Sequence, residues 1–367
     1  MNNIQKALEN GQSIWLDSIS RDMLRSGELQ KFIDLGVTGV TSNPSIFDKA
    51  LAESDTYDES LLEYAKDGAD RQTIFERLAV DDIRDAADVL RPIYDDASMR
   101  DGFVSIEVSP VLANDTDGTV TEARRLWAAI DRPNVMIKVP GTPAGVPAIK
   151  TLISEGINVN VTLLFSLSAY EAAATAYIEG LSEFAQSALG IPAAVASVAS
   201  FFVSRVDTSV DNALPEGHEL RGKIGTANAK VAYARFNELF DRNLGGGGNF
   251  FPLHSTGAQV QRPLWASTGV KNPDYLDTMY VDGLMGPDTV NTVPEATMSA
   301  YSDHGTPGSP LGDGLAEARA QMTALPDAGV SIDSITDDLL EVGVAAFADS
   351  YESLLGRIDE KLKSLTS

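Results

Sequence analysis

The chain has 367 residues, of which 43% are hydrophobic and 22% charged, a composition typical of a soluble globular protein with a sizeable core. Its 53 acidic and 28 basic residues give a net charge of −25 at pH 7, so nucleic acid and anionic membranes are poor candidates for partners. The sequence contains no cysteine, which excludes disulfides, thiolate metal sites and cysteine nucleophiles.

The sequence shows no signal for secretion or for a membrane span. The first thirty residues lack a basic start followed by an apolar core. The longest mostly apolar stretch, residues 191–203, is too short to cross a bilayer. We therefore expect a cytoplasmic protein without a membrane partner.

Eight short apolar segments alternate with stretches of helical pattern along the chain. A helical segment at residues 20–36 ends on Gly36, a suitable C-cap, and Ser168 and Glu171 have the spacing of a capping box at the start of another helix. The predicted strands are residues 13–17, 36–42, 103–108, 135–139, 157–165, 194–200, 262–267 and 288–293.

Two other segments have the periodicity of amphipathic helices. Residues 57–78, between the second and third strands, resemble a solvated helix that belongs to the scaffold. Apolar residues in steps of three and four from Leu340 to Leu362 predict one apolar face on a long final helix, which we expect to serve packing.

Eight strands alternating with helices favour parallel pairing, and eight is the number that closes a (β/α)8, or TIM, barrel. The length alone permits one large α/β domain or two smaller ones. An open doubly wound sheet is the alternative fold, but it requires a glycine-rich turn after the first strand, and residues 16–24 contain no glycine. The sequence therefore predicts an α/β protein with a (β/α)8 barrel and extra helices.

A lysine interrupts the apolar run of the fourth predicted strand. Lys138 follows Val135, Met136 and Ile137 and precedes Val139, although removing water from an ammonium group is expensive. One interpretation is a lysine at a strand end, with its stem packed and its head in water. The other is a functional group, because an amine that attacks a carbonyl must be neutral and a partly desolvated site favours the neutral form.

Polar side chains lie in or just after most of the predicted strands. In a (β/α)8 barrel the carboxyl ends of the strands meet at one mouth, where active sites are built. Several such strand ends converging on one mouth indicate a site. These residues are Asp17, Asn43, Glu107, Lys138, Asn158, Asn160, Thr162, Ser200, Arg205, Ser267 and Lys271.

Four motifs together resemble the transaldolase family in its longer, actinobacterial-like form. They are GVTSNPSIF (39–47), VSIEVSP (104–110), NVMIKVPGT (134–142) and EGINVNVTLLFS (155–166). The resemblance extends in order from Asp17 to the loop after Ser267. It implies a single-domain (β/α)8 enzyme spanning residues 1–367, which needs no cofactor and no metal. Such enzymes move a dihydroxyacetone unit between sugar phosphates in the pentose phosphate pathway.

The resemblance assigns four catalytic roles. Lys138 matches the lysine that forms a Schiff base with the donor carbonyl. Asp17 matches the carboxylate that takes the proton of the donor C4 hydroxyl. Glu107 and Thr162 match the pair that holds a catalytic water.

Substrate-binding roles follow in the same way. Asn43 and Asn160 match amides that bind donor hydroxyls, and Ser200 matches the residue near the C1 hydroxyl. Arg205 matches the phosphate-binding arginine, although an ion pair with Asp207 is its structural alternative.

After the seventh strand the sequence departs from shorter members of the family. It has WASTGVKNP (265–273), where those have serine followed closely by arginine. Ser267 carries over, and Lys271 is the candidate second phosphate ligand. Together with Arg205 it would supply the positive field that an anionic sugar phosphate needs on a protein of charge −25.

Two other functions remain open: a related lysine aldolase that releases free dihydroxyacetone, and a non-catalytic sugar-phosphate-binding barrel. Such aldolases tend to have glutamine at the position of Glu107, so Glu107 favours transaldolase, and Phe202 agrees. The oligomeric state is left open as monomer or homodimer.

Remaining motifs predict no further chemistry. The histidines are far apart in sequence without metal-ligand spacing, which favours structural or surface roles. The glycine-rich stretch 244–251 lacks the Lys-Ser/Thr of a P-loop and is expected to be a flexible loop.

Overall fold

Eight parallel strands form a closed barrel in chain order, β1 to β8. The computed structural model describes residues 1–188, 190–241, 248–308 and 310–366. The strands are β1 Gln12–Leu16, β2 Gly39–Val40, β3 Val104–Glu107, β4 Val135–Pro140, β5 Val159–Leu164, β6 Ser197–Phe202, β7 Arg262–Ala266 and β8 Thr289–Val293.

The predicted α/β class and (β/α)8 barrel are confirmed, and each predicted strand overlaps an observed one. The strands are almost entirely buried, since one face packs on the helices and the other fills the barrel. The largest difference is β2, which has only two residues where seven were predicted. β6 begins three residues later than predicted and ends two residues later.

Sixteen α-helices surround the barrel in the described part of the chain. They are α1 Asn3–Glu9, α2 Arg21–Ser26, α3 Glu28–Leu35, α4 Pro44–Glu53, α5 Asp58–Lys66, α6 Arg71–Asp96, α7 Thr116–Ile130, α8 Gly145–Ser154, α9 Leu167–Ala185, α10 Ser204–Ala213, α11 Ile224–Leu239, α12 Phe251–His254, α13 Met279–Gly283, α14 Glu295–His304, α15 Leu315–Ala324 and α16 Ile332–Leu365.

The helix after β1 is divided into α2 and α3. Gly27 lies between them with φ +74°, a left-handed conformation that glycine adopts without strain. Gly36 ends α3 with φ +112°, so the predicted C-cap is confirmed.

The predicted capping box of α9 is wrong. The N-cap is Ser166, whose hydroxyl accepts a hydrogen bond from the Ala169 amide at 3.1 Å. The helix begins as soon as the chain leaves β5, so Ser168 already lies in the first turn and cannot serve as its cap.

The predicted solvated helix at 57–78 is two helices, and it is not simply a solvent-facing element. α5 ends before Gly68, which has φ +78°, and α6 begins at Arg71. Ile74 and Leu78 of α6 are buried in the hydrophobic core, so this segment packs against the barrel.

The final helix α16 is confirmed as an amphipathic helix of 34 residues. Leu354, Leu355 and Ile358 are buried in the core between the barrel and its helices. Phe347, closer to its start, belongs instead to a second hydrophobic cluster, which includes Leu163 of β5 and Phe202 of β6, and it lines the cavity at the mouth. One helix therefore contacts both the outside of the barrel and its mouth.

Among the described residues, no helix combines the length and the apolar character that a membrane crossing requires. Residues 244–247 of the predicted glycine-rich loop lie outside the described part. Phe250 beyond them is buried, and α12 follows directly.

Candidate active site

Lys138 lies in the interior of the barrel, near the carboxyl end of β4. The residue is 5% exposed, and its Nζ donates a hydrogen bond to the backbone oxygen of Ser42 at 3.3 Å. The interpretation of a lysine with its head in water is therefore wrong. The residues on either side of Lys138 in β4, Ile137 and Val139, are apolar because their side chains point outward and pack on the helices.

Glu107 lies beside Lys138 because their Cα atoms are partners in the β3–β4 ladder. Its Oε2 is 3.7 Å from Nζ, longer than a hydrogen bond but close enough for strong charge attraction. Burial raises the pKa of Glu107 to about 7, and the positive charge of Lys138 opposes that shift. A carboxyl group with this pKa can accept and donate protons near neutral pH.

Thr162 lies on β5, on the other side of Lys138 from Glu107. Asn160 is the ladder partner of Lys138, and Thr162 is two residues further toward the mouth. The Thr162 hydroxyl and both carboxylate oxygens of Glu107 are buried without a hydrogen-bond partner among the described residues. These oxygens could bind a water molecule or a substrate hydroxyl.

Asp17 follows β1 at the mouth of the barrel and is half-buried. Its Oδ1 accepts a hydrogen bond from the Thr41 hydroxyl at 2.7 Å. The Thr41 hydroxyl also lies 2.6 Å from that of Thr292 on β8. Thr41, in the loop after β2 and beside Thr292 of β8, thus orients this carboxylate.

A layer of neutral polar groups lies beside Lys138. The Asn160 amide donates to the Ser105 hydroxyl at 3.0 Å and accepts from the Ser200 hydroxyl at 2.6 Å. Asn43 is the N-cap of α4, since its Oδ1 accepts the Ile46 amide at 3.1 Å. Its side-chain NH2 group remains as the donor that could reach a ligand.

These groups surround a cavity at the carboxyl end of the barrel strands. Of the predicted site residues, Glu107 and Asn160 lie outside its lining but contact the lining residues Lys138 and Ser200. Asn158 also lies outside it, just before β5, where its side-chain NH2 group donates to the backbone oxygens of Pro133 at 2.8 Å and Val135 at 3.1 Å. The lining consists of Asp17, Thr41, Asn43, Lys138, Thr162, Ser200, Phe202, Arg205, Ala266, Ser267, Thr268, Gly269, Lys271, Thr292, Pro294 and Phe347.

Arg205 reaches the cavity from the first turn of α10. Its guanidinium carbon lies 5.2 Å from the ring centroid of Phe202, and burial lowers its pKa. The alternative ion pair with Asp207 is wrong. Asp207 is buried elsewhere and accepts hydrogen bonds from the Gly225 amide at 2.6 Å and the Tyr280 hydroxyl at 2.9 Å.

The loop after β7 brings Ser267 and Lys271 to the same cavity. The Ser267 hydroxyl is 2.9 Å from that of Ser204, and its φ of +55° is unusual for a residue other than glycine. Leu163, directly after Thr162, also has a positive φ, +59°, next to an irregularity in the β5–β6 ladder. Strained backbone at two strand ends is typical of a functional site.

Three residues of the cavity lining were not predicted from the sequence: Thr41, Thr292 and Phe347. Thr41 lies inside the quoted motif before Asn43, and Thr292 is in the last strand, so both carried a positional signal. Phe347 carried none beyond its place on an apolar helix face.

The described residues contain no group of three or more His, Asp and Glu arranged to hold a metal ion. His304 lies 2.8 Å from an oxygen of Asp277, and His218 accepts the Leu220 amide at 3.2 Å. His254 packs edge-on against the Phe250 ring. That no metal is needed stays a prediction.

The fold and site define a class, namely (β/α)8 barrel proteins with a buried lysine and carboxyl pair at the carboxyl end of the strands. A sequence profile described as Transaldolase/Fructose-6-phosphate aldolase matches residues 14–358. The chain therefore belongs to the transaldolase/fructose-6-phosphate aldolase family.

Individual relatives agree over nearly the full length. A transaldolase of Thiobacillus denitrificans is 49% identical over 354 residues, covering 95% of this chain and 97% of the relative. One of Thermobifida fusca is 47% identical over 370 residues, covering 99% of both chains. One of Mycobacterium bovis is 47% identical over 352 residues, covering 94% of this chain and 93% of the relative. The predicted resemblance, including its actinobacterial-like form, is confirmed.

Proposed function

We propose that the protein transfers a dihydroxyacetone unit from a ketose phosphate to an aldose phosphate through a Schiff base on Lys138. The donor would be sedoheptulose 7-phosphate or fructose 6-phosphate, and the acceptor glyceraldehyde 3-phosphate or erythrose 4-phosphate, as in the non-oxidative pentose phosphate pathway. One observation carries the proposal: a buried lysine amine 3.7 Å from a carboxyl group whose pKa is about 7.

Imine formation needs a neutral amine and several proton transfers. Lys138 attacks the donor ketone, and loss of water leaves a carbon–nitrogen double bond. Glu107 accepts and returns protons through a water held together with the Thr162 hydroxyl. The unpartnered oxygens of these two side chains support this role.

Cleavage follows from the protonated imine. Asp17 takes the proton of the C4 hydroxyl, the C3–C4 bond breaks, and its electron pair moves toward the imine nitrogen. The aldose phosphate leaves, and an enamine of dihydroxyacetone remains on Lys138. An acceptor aldehyde then reacts by the reverse steps, with Asp17 returning the proton.

Substrate binding uses the polar and cationic lining of the cavity. Arg205 and Lys271 bind the phosphate, which would otherwise be repelled by a protein of net charge −25. Asn43, Asn160 and Ser200 bind the donor hydroxyls, and Ser267 borders the phosphate site.

The two alternatives are less well supported. Glu107, where related aldolases tend to have glutamine, and Phe202 at the cavity favour transfer over release of free dihydroxyacetone. A non-catalytic barrel is disfavoured because each carried-over position keeps a side chain able to perform its role.

A product assay separates the three functions. With fructose 6-phosphate as donor, we expect glyceraldehyde 3-phosphate to form rapidly only when erythrose 4-phosphate is added. Release of dihydroxyacetone at the same rate with and without the acceptor would indicate an aldolase. No product in either case would indicate a binding protein.

We further propose that residues 1–367 form a single domain, since α16 packs on both the mouth and the outside of the barrel. The protein is expected to act in the cytoplasm as a monomer or homodimer, without a cofactor and without nucleic acid or membrane partners.

A further inference from the structure

The active-site cavity has one aromatic wall that comes from outside the barrel. Phe347 lies on α16, far beyond the last strand in sequence, yet it lines the same cavity as Lys138. Its side chain is nearly buried, and the Lys138 Nζ lies 5.8 Å from the centroid of its ring. This distance is within the range at which a cation interacts with an aromatic face.

The other neighbours of the amine are polar. Glu107 and the backbone oxygen of Ser42 lie 3.7 and 3.3 Å from Nζ. Phe347 therefore adds an aromatic neighbour to a nitrogen that also lies close to these two oxygen atoms. A phenyl ring has no hydrogen-bonding group with which to hold a water molecule there.

A glycine allows α16 to approach this closely. Gly343 precedes Phe347 by one helical turn, on the same face. A Cβ atom at Gly343 would lie 3.1 Å from Cδ2 of Leu163. Leu163 is the residue with positive φ beside Thr162, so α16 rests on the strained end of β5.

We infer that Phe347 determines specificity, by keeping water from the Lys138-bound intermediate so that the three-carbon unit passes to an aldehyde. The inference rests on the proposed function. Loss of the unit to water needs one proton on the enamine carbon and one water on the resulting iminium carbon. The carbon–nitrogen bond then breaks, which regenerates the amine and releases dihydroxyacetone without any redox change.

The ring opposes this loss by occupying space in the cavity beside the nitrogen that a water molecule would otherwise use. Replacing it with a smaller or non-aromatic side chain admits water beside the intermediate. We therefore expect more release of dihydroxyacetone relative to transfer, without a general loss of activity.

The test measures dihydroxyacetone release relative to transfer, with fructose 6-phosphate as donor and erythrose 4-phosphate as acceptor. In Phe347→Leu we expect this ratio to rise at least about fivefold, from the lost ring contact and the opened space. Phe347→Met has a flexible side chain that fills more of the space, so it should raise this ratio less. It replaces Phe347→Leu as the test variant if the leucine variant does not fold. Val342→Ala is the matched control, because Val342 is exposed on the same helix and should leave the ratio unchanged.

The possible results are distinguishable. If wild-type protein forms no borohydride-trapped adduct, the proposed function fails. If the adduct forms but folded Phe347→Leu and Phe347→Met partition as the wild type does, this inference is overturned and the proposed function stands. A rise in Val342→Ala equal to that in Phe347→Leu would also overturn it, since the effect would then belong to the helix as a whole.

Discussion

Glu107 is the residue whose ionisation should govern imine formation near neutral pH. Burial raises its pKa to about 7, so the carboxylate that accepts a proton is fully present only above that value. We expect the rate of inactivation by borohydride with fructose 6-phosphate to fall as pH decreases through about 7.

Glu107→Gln should slow this step and remove the inflection, because glutamine cannot accept the proton. The inactivation rates of the wild type and of Glu107→Gln are measured from pH 5.5 to 8.5, and thermal melting verifies that both proteins are folded. The same inflection in both would assign it to another group.

Arg205 is the half-buried cation of the proposed phosphate site, and Lys271 is the exposed one. Arg205→Ala should raise KM for fructose 6-phosphate by a factor corresponding to about 2–3 kcal/mol, the effect of losing a charge-assisted contact. Lys271→Ala should have a smaller effect, because solvent screens an exposed charge.

Unphosphorylated fructose provides the control for this prediction. Its KM should change little in Arg205→Ala, since the lost partner is the phosphate. Equal increases for the two donors would mean that Arg205 supports the structure and does not bind phosphate.

At the scale of elements, Asn43 caps a helix and is also proposed to bind the donor. Its oxygen caps α4, and in the proposed function its NH2 group binds the donor hydroxyls. Asn43→Ser should keep the cap and nearly the full stability, but raise KM. Asn43→Ala should raise KM similarly and also cost about 1 kcal/mol of unfolding free energy, because the cap is lost. Denaturant unfolding and steady-state kinetics measure both effects, and wild-type KM in Asn43→Ser would show that the amide does not bind substrate.

The strands could be predicted because parallel barrel strands are apolar on both faces, so a charged residue such as Lys138 is conspicuous. Period-two alternation also predicted that Asn160 and Thr162 share one side. It could not predict the positive φ at Leu163, since nothing in a leucine indicates a left-handed conformation.

Phe347 was beyond sequence reasoning for a different reason. Its spacing on α16 matches that of Leu354 and Ile358, which pack outside the barrel. Only the path of the helix across the mouth distinguishes a residue that lines the cavity from one that fills the core. The position of Asp207 was also beyond sequence reasoning. Its closeness to Arg205 in sequence suggested an ion pair, but its carboxylate accepts hydrogen bonds from the Gly225 amide and the Tyr280 hydroxyl instead.

At the scale of the whole molecule, the net charge of −25 should make folding depend on salt. Mutual repulsion of surface carboxylates destabilises the compact state, and ions screen it. We expect the melting temperature to rise between 0.05 and 1 M KCl. Sucrose at equal osmolality is the uncharged control, and a melting temperature that falls with KCl would show that surface ion pairs outweigh the repulsion.

The same screening should act oppositely on substrate capture. In the proposed function Arg205 and Lys271 attract the phosphate through a local field, so added KCl should raise KM for fructose 6-phosphate while it stabilises the fold. The interior of the barrel is less affected, because Lys138 and Glu107 are buried from the salt.

The most direct test of the proposed chemistry is to trap the Schiff base. Borohydride added with fructose 6-phosphate should fix a three-carbon adduct, and peptide mass spectrometry should locate it on Lys138. Lys138→Arg should give no adduct and almost no activity, because a guanidinium group stays protonated and cannot form an imine. An adduct on another lysine, or full activity in Lys138→Arg, would contradict the proposed mechanism.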